Sequence, residues 1–209
     1  MGPDFKLEMT AHAQGAACVA GVDEVGRGPL AGPVSAAAVV LDPDCIPDGL
    51  NDSKQLSKKR RLSLAQELMA CAACGIGHAT VAEIDEHNIL RASHIAMLRA
   101  LAALPVVPDY VLIDGSMVPR GLNIAAQPVV KGDMRCLSIS AASIVAKVCR
   151  DKIMVDLAQQ HPGYGWHTNM GYGSKSHIEA LQNLGVTPHH RRSFKPVHNM
   201  LYQGKIVKP

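Results

Sequence analysis

Residues 18–34 read CVAGVDEVGRGPLAGPV, and this stretch decides the fold. Its first eight residues are apolar or small apart from two adjacent acids, Asp23 and Glu24, which predicts a buried strand with its charges near the end. Gly26-Arg27-Gly28-Pro29 breaks this strand, and residues 33–41 are again almost wholly apolar. Two apolar runs separated by a cluster of glycine and proline predict a hairpin.

Beyond this hairpin, apolar strands alternate with helical patterns. We expect helices at residues 57–74, 82–104, 134–161 and 174–184, and strands at 76–81, 110–113 and 124–130. This succession predicts an α/β fold with a mixed five-stranded sheet, flanking helices and a small C-terminal helical part. Three parts are expected along the chain: a flexible segment at 1–16, the main domain at 17–161, and a helical, basic part at 162–209.

The composition supports one well-filled domain. The 209 residues are 47% hydrophobic and 19% charged, which excludes collagen-like and disordered chains. The six cysteines lie mostly in apolar runs, as in reduced intracellular proteins. No apolar run is long enough to span a membrane, and no cationic segment precedes an apolar one at the N-terminus. We therefore expect a cytoplasmic protein without membrane contact.

Charge is distributed unevenly along the chain. The formal net charge is only +3, but the segment from Gly171 onward has six basic residues and one acid. This segment is a candidate contact for a polyanion such as nucleic acid. His189-His190-Arg191-Arg192 is its densest group, and it is either a solvated basic face or a phosphate contact.

Acidic residues stand at the ends of three predicted strands: Asp23 and Glu24 in the first, Asp114 after the fourth, and Asp133 just after the fifth. In open α/β sheets, the carboxyl ends of strands border the functional crevice. Carboxylates that meet there repel one another unless a cation holds them, and oxygen ligands favour Mg²⁺ or Mn²⁺ over zinc. Taken singly, each acid is better explained as a solvated strand end or turn residue. Taken together, they favour a metal-dependent phosphodiester enzyme.

Two glycine-rich motifs have weaker implications. Gly26-Arg27-Gly28 is either a plain hairpin turn or a place where backbone N–H groups approach a ligand closely. Residues 171–176, GYGSKS, lack the spacing and the preceding strand of a phosphate-binding loop. Neither a serine-hydrolase elbow nor a zinc-protease motif is present in the sequence.

Residues 21–34 resemble the opening signature of the bacterial type 2 ribonucleases H (ribonuclease HII), and that signature is highly specific. Further matching segments follow in the family's order, so that the resemblance covers residues 18–198. These segments are residues 51–54 (NDSK), 113–115 (IDG), 131–133 (KGD), 140–151, 161–166, 171–173 and 190–194.

The resemblance implies an endonuclease with a ribonuclease H-like fold. Such an enzyme cuts the RNA strand of RNA–DNA hybrids and the 5′ side of single ribonucleotides in duplex DNA, and it removes misincorporated ribonucleotides. The catalytic, metal-binding acids would be Asp23, Glu24, Asp114 and Asp133, with Asp151 a rival for the fourth position. They would hold two Mg²⁺ or Mn²⁺ ions, and the products would end in a 5′-phosphate and a 3′-hydroxyl.

The resemblance also implies substrate contacts. Backbone around Gly26, Arg27 and Gly28 would contact the 2′-hydroxyl of the ribonucleotide, and Tyr172 would pack on the sugar of the following deoxynucleotide. Phosphate contacts position a nucleic acid without specifying its sequence. Our candidates for them are Lys54, Arg191 and Arg192. We expect a monomer, and the sequence does not identify a protein partner.

The chain departs from the family pattern at Met170, where a basic residue is common, and at Met134-Arg135-Cys136. Two other functional classes stay open. A catalytically silent hybrid-binding protein should have lost an acid, and a carboxylate-pair hydrolase such as a glycosidase would act without a metal. Asp23 and Glu24 point to opposite faces of a regular strand, so sharing one site would need a local twist or bulge.

Overall fold

A computed structural model describes residues 2–202 and is built around one five-stranded sheet in the order β3-β2-β1-β4-β5. β1 pairs antiparallel with β2 and parallel with β4, while β2–β3 is antiparallel and β4–β5 parallel. The strands are β1 (Val19–Val25), β2 (Val34–Val40), β3 (Ala73–Ala79), β4 (Tyr110–Asp114) and β5 (Ala125–Val129). The predicted hairpin and mixed sheet are therefore confirmed.

Helices cover both faces of the sheet. They are α1 (Lys6–Ala13), α2 (Lys58–Cys71), α3 (Val81–Ala102), α4 (Leu137–Gln160), α5 (Trp166–Asn169), α6 (Lys175–Leu184) and α7 (Lys195–Tyr202). The alternation of side chains along β2 explains the layers: Ala36 and Ala38 pack in the core on the α3 side, while Ala37 and Val39 pack in the core formed with α2 and α4. Small side chains let both helical layers approach the sheet closely.

The N-terminal segment contains a helix, α1, that was not expected from the sequence. The flexibility expected of residues 1–16 stays a prediction. Glu8 on α1 is buried, and its carboxylate accepts a hydrogen bond from the backbone N–H of Ser138 at 2.7 Å and one from the thiol of Cys136 at 3.0 Å. The N–H groups of a helix's first turn have no partner within the helix. Glu8 therefore supplies a cap for α4 from a distant part of the chain.

The boundary between α2 and β3 also differs from the prediction. Ser57, where the predicted helix began, caps α2 by accepting from Arg60 N, but the helix ends at Cys71 and not at residue 74, and Gly75 lies inside β3. A side chain at Gly75 would overlap the backbone of α3 at Ala100. The glycine thus permits close packing of α3 on the sheet.

The C-terminal part packs on the loop between β1 and β2. Tyr164 and Trp166 are buried together with Leu30 from that loop and Met154 from α4. The division at residues 161 and 162 stays a prediction, and Lys205 and Lys208 of the basic segment lie outside the described residues. Among residues 2–202, no helix combines the length and apolarity needed to cross a membrane.

We predict that Glu8→Ala lowers the free energy of unfolding by about 1–3 kcal/mol, because it leaves the buried N–H of Ser138 without an acceptor. Urea unfolding followed by circular dichroism measures this change. The matched control is Glu86→Ala, which removes an exposed acid from α3 and should change stability by less than about 0.5 kcal/mol. Equal effects of the two substitutions would contradict the capping role.

Candidate functional site

The sheet brings three of the predicted acids to one edge. β1 and β4 pair in parallel only up to Val22 and Ile113, so Asp23, Glu24 and Asp114 come directly after the last paired residues. Asp133 follows β5 in a 3₁₀ turn, Gly132–Met134. The backbone N–H of Gly132 donates to Asp114 Oδ1 at 2.7 Å, which fixes this turn against the end of β4.

These acids border one cleft of about 220 Å³. The cleft also contains most of the other predicted site residues. It is lined by Asp23, Glu24, Val25, Gly26, Arg27, Gly28, Ser53, Lys54, Asp114, Asp133, Ser143 and Tyr172. The rival acid Asp151 is not among them, and its carboxylate pairs with Lys147 on α4 at 2.7 Å.

Asp23 and Glu24 reach this cleft from a regular strand. β1 pairs with β2 in unbroken register from Gly21 to Val25, so the expected bulge is not present there. Asp23 lies opposite Ala37, on the α4 side of the sheet, and Glu24 lies opposite Ala36, on the α3 side. β4 does not pair with β1 beyond Val22, so both carboxylates border the open edge that the sheet leaves between these two strands.

The cleft concentrates negative charge. Burial, the carboxylate of Glu24 and that of Asp114 raise the pKa of Asp23 well above its ordinary value. Burial also raises the pKa of Glu24, although the guanidinium of Arg27, 3.2 Å away, opposes the shift. Burial and the neighbouring Asp114 raise the pKa of Asp133. These raised pKa values mean that the ionised carboxylates are buried and have too little positive charge nearby to stabilise them.

This donor set fits a hard divalent cation. All the candidate ligands are carboxylate oxygens, which suit Mg²⁺ or Mn²⁺. Within residues 2–202, no three acidic, histidine or cysteine side chains form the compact arrangement of a ready-made metal centre. The fit therefore rests on the chemistry of the donors and on their uncompensated charge.

Two cations line the cleft, Arg27 and Lys54, and the side chain of Lys54 is the more exposed of the two. Its Nζ lies 3.9 Å from Asp133 Oδ2, and the side chain is 82% exposed. Two contacts hold the loop before it: Asp52 accepts from the backbone N–H of Lys54 at 2.9 Å, and the Ser53 hydroxyl lies 2.9 Å from that of Ser143. Burial lowers the pKa of Lys54, but the surrounding carboxylates outweigh it and raise that pKa overall.

Tyr172 and the Gly26–Gly28 loop line the same cleft. The tyrosine ring is 46% exposed and packs against Gly28, where a side-chain carbon would lie 3.4 Å from the ring. The Arg27 side chain donates to the Glu24 carboxylate at 3.2 Å, and both residues line the cleft. Met170, the departure from the family pattern, has a positive φ of 50° just before this tyrosine.

Arg191 was predicted to contact phosphate, and its position contradicts that prediction. The side chain is fully buried, and its guanidinium donates to backbone carbonyl oxygens, including those of Gly26 and Arg27. His190 is buried as well. Of the four residues His189 to Arg192, only Arg192 is exposed. Its backbone N–H donates to the carboxylate of Asp85 at 3.0 Å.

Several residues of the site were missed from the sequence. Ser53 and Ser143 line the cleft, and the buried Asp52 orients the Lys54 loop. Ser143 was detectable, because it belongs to a polar stripe on an otherwise apolar helix. Arg150 belongs to the same stripe but is buried against backbone carbonyls.

A second cavity, of about 320 Å³, adjoins the first across Glu24 and Asp114. Its other walls come mainly from α3 and from the loop after β4. They include the apolar side chains of Leu90, Met97 and Met117. The carboxylate edge is therefore open on both sides.

We predict that metal-free Asp23→Asn is more stable than the wild type above neutral pH, by on the order of 1 kcal/mol. The raised pKa means that the folded chain binds more protons than the unfolded chain between the ordinary value of 3.8 and the raised one. Stability of the wild type therefore falls as pH rises through that interval, and the substitution removes part of this loss.

Urea unfolding in EDTA at pH 5 and pH 8 measures the effect. Asp151→Asn is the matched control, because it neutralises an ion-paired acid outside the cleft and should bring no gain at pH 8. The prediction would be contradicted if the free energy of unfolding changed between pH 5 and pH 8 by the same amount in the wild type as in Asp23→Asn.

Comparisons with known proteins agree with this fold. The family model described as Ribonuclease HII matches residues 20–197. The chain is 77% identical over 197 residues to the ribonuclease HII of Roseobacter denitrificans, covering 94% of this chain and 100% of that protein. It is 64% identical over 207 residues to that of Cereibacter sphaeroides, covering 99% and 98%.

A solved structure gives the same answer for the fold. The ribonuclease H2 of Pyrococcus horikoshii superposes with a TM-score of 0.75 at 28% identity, covering 89% of this chain and 98% of that one. The match of the family model spans the sheet, the carboxylate edge and the C-terminal helices together. The chain therefore belongs to the ribonuclease HII family and is a metal-dependent endoribonuclease with ribonuclease H activity on RNA–DNA hybrids.

Proposed function

We propose that this ribonuclease H also nicks duplex DNA on the 5′ side of an embedded ribonucleotide, using two divalent ions, and that it serves to remove misincorporated ribonucleotides. The observation that carries the proposal is one cleft that four carboxylates with too little positive charge share with Tyr172 and Gly26–Gly28. The acids would hold the chemistry, and the other residues would contact the sugar on which the cut depends.

The four acids would hold the ions. The chemistry that two bound Mg²⁺ or Mn²⁺ ions would supply there is activation of a water and stabilisation of the departing 3′ oxygen. Asp23, Glu24, Asp114 and Asp133 supply the ligands, and the link from Gly132 to Asp114 keeps the fourth acid near the third. The products are a 5′-phosphate and a 3′-hydroxyl.

Lys54 and Arg192 would position the nucleic acid. Lys54 extends from a braced loop beside Asp133, with most of its side chain in solvent. A phosphate of the cleaved strand bound by this ammonium group would lie next to the acids. Phosphate contacts of this kind set the register of the strand without selecting a base.

Recognition of the junction would come from Tyr172 and the Gly26–Gly28 loop. RNA and DNA differ at the 2′-hydroxyl, so selectivity needs groups that contact it. The backbone N–H groups of Gly26, Arg27 and Gly28 are the candidates for this contact, because the carbonyls of Gly26 and Arg27 already accept hydrogen bonds from Arg191. Tyr172 would pack on the next sugar, where a second 2′-hydroxyl would crowd the ring.

The alternatives make different predictions. A silent hybrid-binding protein would bind but not cut, although the chain retains all four acids. A carboxylate-pair hydrolase would survive EDTA. We further propose that the chain acts in the cytoplasm as a monomer.

The direct test uses end-labelled duplex DNA with one internal ribonucleotide, incubated with Mg²⁺ or Mn²⁺ and with or without EDTA. The expected result is a single, metal-dependent nick on the 5′ side of the ribonucleotide that leaves a 3′-hydroxyl. Cutting of continuous hybrids without any nick at the single ribonucleotide would refute the junction proposal.

We predict that Asp114→Asn lowers kcat by about 1000-fold or more, because it removes a carboxylate from the metal edge. Binding to the substrate in Ca²⁺, measured by fluorescence anisotropy, should change by less than about threefold. Asp151→Asn is the control and should keep most of the activity. Parallel loss of folding and binding in Asp114→Asn would point to a structural acid instead.

We predict that Tyr172→Ala lowers kcat/KM for the single-ribonucleotide duplex by about 10-fold to 100-fold, and for continuous hybrid by less. Tyr172→Phe should retain selectivity, because the proposed contact is made by the ring. The measurement is the ratio of kcat/KM for the two substrates. Equal losses on both substrates would remove Tyr172 from junction recognition.

A further inference from the structure

We infer that His190 and Arg191 are positioning residues that set the specificity of the enzyme. They hold the Gly26–Gly28 loop and the Tyr172 loop (residues 170–174) at a fixed separation. The inference rests on the proposed function, in which these two loops recognise the junction between ribonucleotide and deoxynucleotide. Neither residue lines the cleft, so each acts through the loops that do.

Arg191 holds the first loop. Its Nη1 donates to the carbonyl of Arg27 at 2.9 Å, and its Nη2 donates to those of Gly26 at 2.6 Å and Pro33 at 3.2 Å. Its Nε donates to Gly32 O at 3.0 Å. One rigid fork thus binds both ends of the loop that connects β1 to β2, a geometry that a lysine ammonium group cannot reproduce.

Arg191 holds its charge without an acidic partner in contact. Its guanidinium is fully buried, and within residues 2–202 every hydrogen bond it donates goes to a backbone carbonyl. Burial and the nearby Arg150 lower its pKa to about 9. A buried charge is costly unless it is well bonded. A buried arginine that is bonded in this way indicates that the positions of the four carbonyls it binds are important for the protein.

Arg150 joins the second loop to the same segment. Its Nη1 donates to the carbonyl of Met170 at 3.0 Å, while Nε and Nη2 donate to those of Pro33 and Ala31. A side chain at Gly26 would overlap the guanidinium of Arg150, and Gly26 has a φ of 92°. Gly26 is therefore needed to make room for Arg150, independently of any contact that Gly26 makes with the substrate.

His190 controls the second loop through His177. His190 Nδ1 lies 3.0 Å from the N–H of Thr187 and must accept, so its proton is on Nε2, which donates to His177 Nε2 at 3.1 Å. Trp166 Nε1 donates to the same His177 nitrogen at 3.0 Å, so the single lone pair of that nitrogen is shared between two donors. The His177 proton is therefore on Nδ1, which donates to the carbonyl of Tyr172 at 2.8 Å.

This chain of hydrogen bonds determines both tautomers and ends on the tyrosine that faces the cleft. Burial and the neighbouring His177 lower the pKa of His190 to about 3, so the ring is neutral near pH 7. Backbone hydrogen bonds support the same connection between the loops: Leu30 N donates to Gly171 O, and Arg191 N donates to Leu30 O, both at 2.8 Å. Residues 30–32 are thus bonded directly to the Tyr172 loop at Gly171, and they are linked to the Gly26–Gly28 loop through Arg191.

A change in this network should alter selectivity more than chemistry. The acids are held by the sheet and by Gly132, while the separation of the two loops depends on His190 and Arg191. Misplacement by about 1 Å can cost on the order of 100-fold in rate. The substrate that needs both loops should lose most.

The test measures kcat/KM of the full chain on single-ribonucleotide duplex and on continuous RNA–DNA hybrid, in Mg²⁺. Arg191→Lys keeps the charge but loses the fork, and we expect the ratio of the two values to fall by about 10-fold or more. His190→Leu should lower the ratio similarly. His190→Gln, whose amide can replace the Nε2 donor, should restore most of it.

Arg99→Lys is the control, because it disturbs a bidentate arginine that pairs with Glu83 outside the cleft. It should leave the ratio unchanged. If Arg191→Lys does not fold, as judged by circular dichroism, the His190 pair decides. An equal fall on both substrates, or no rescue by Gln, would overturn the inference. A wild type that never nicks the single-ribonucleotide duplex would instead overturn the proposed function, and this inference with it.

Discussion

Mutual repulsion among carboxylates is the constraint on which the site depends. Asp23 is buried next to Glu24, and Asp114 and Asp133 add charge from the neighbouring strand and turn. Such an arrangement persists only because the sheet and its helices stabilise the fold independently of the site. The repulsion destabilises the metal-free protein, and a bound cation relieves it. The same repulsion is therefore the source of the protein's affinity for cations. Stability and metal binding therefore oppose each other at these positions.

The scaffold meets this constraint with rigid, small-residue packing. The alanines of β2 bring α3 and α4 close to the sheet, and the carboxylate edge lies where β1 and β4 stop pairing. The acids therefore stand on strand ends, whereas the groups proposed to recognise the sugar stand on loops. The loops owe their order to buried arginines and histidines, which is a separate device from the one that holds the acids.

Much of the fold was predictable, because the almost wholly apolar run over 34–40 and the break at Gly26–Gly28 are local signals. The acids were predictable because strand ends in such sheets meet. Glu8 was not, since its partner Ser138 is 130 residues away. Arg191 was misassigned because four consecutive basic or titratable residues are typical of a surface, and no local pattern shows that carbonyls from residues 26–33 surround it.

The burial of Arg150 and Arg191 has a consequence for ionic strength. Salt screens exposed charges over a Debye length of about 8 Å at physiological concentration, but it screens buried charges much less. Attraction of nucleic acid by the exposed Lys54 should therefore weaken as counterions accumulate, while the two guanidinium groups keep the loops in place. Added salt would then shorten the time the enzyme spends on ordinary DNA and leave its geometry at a ribonucleotide intact.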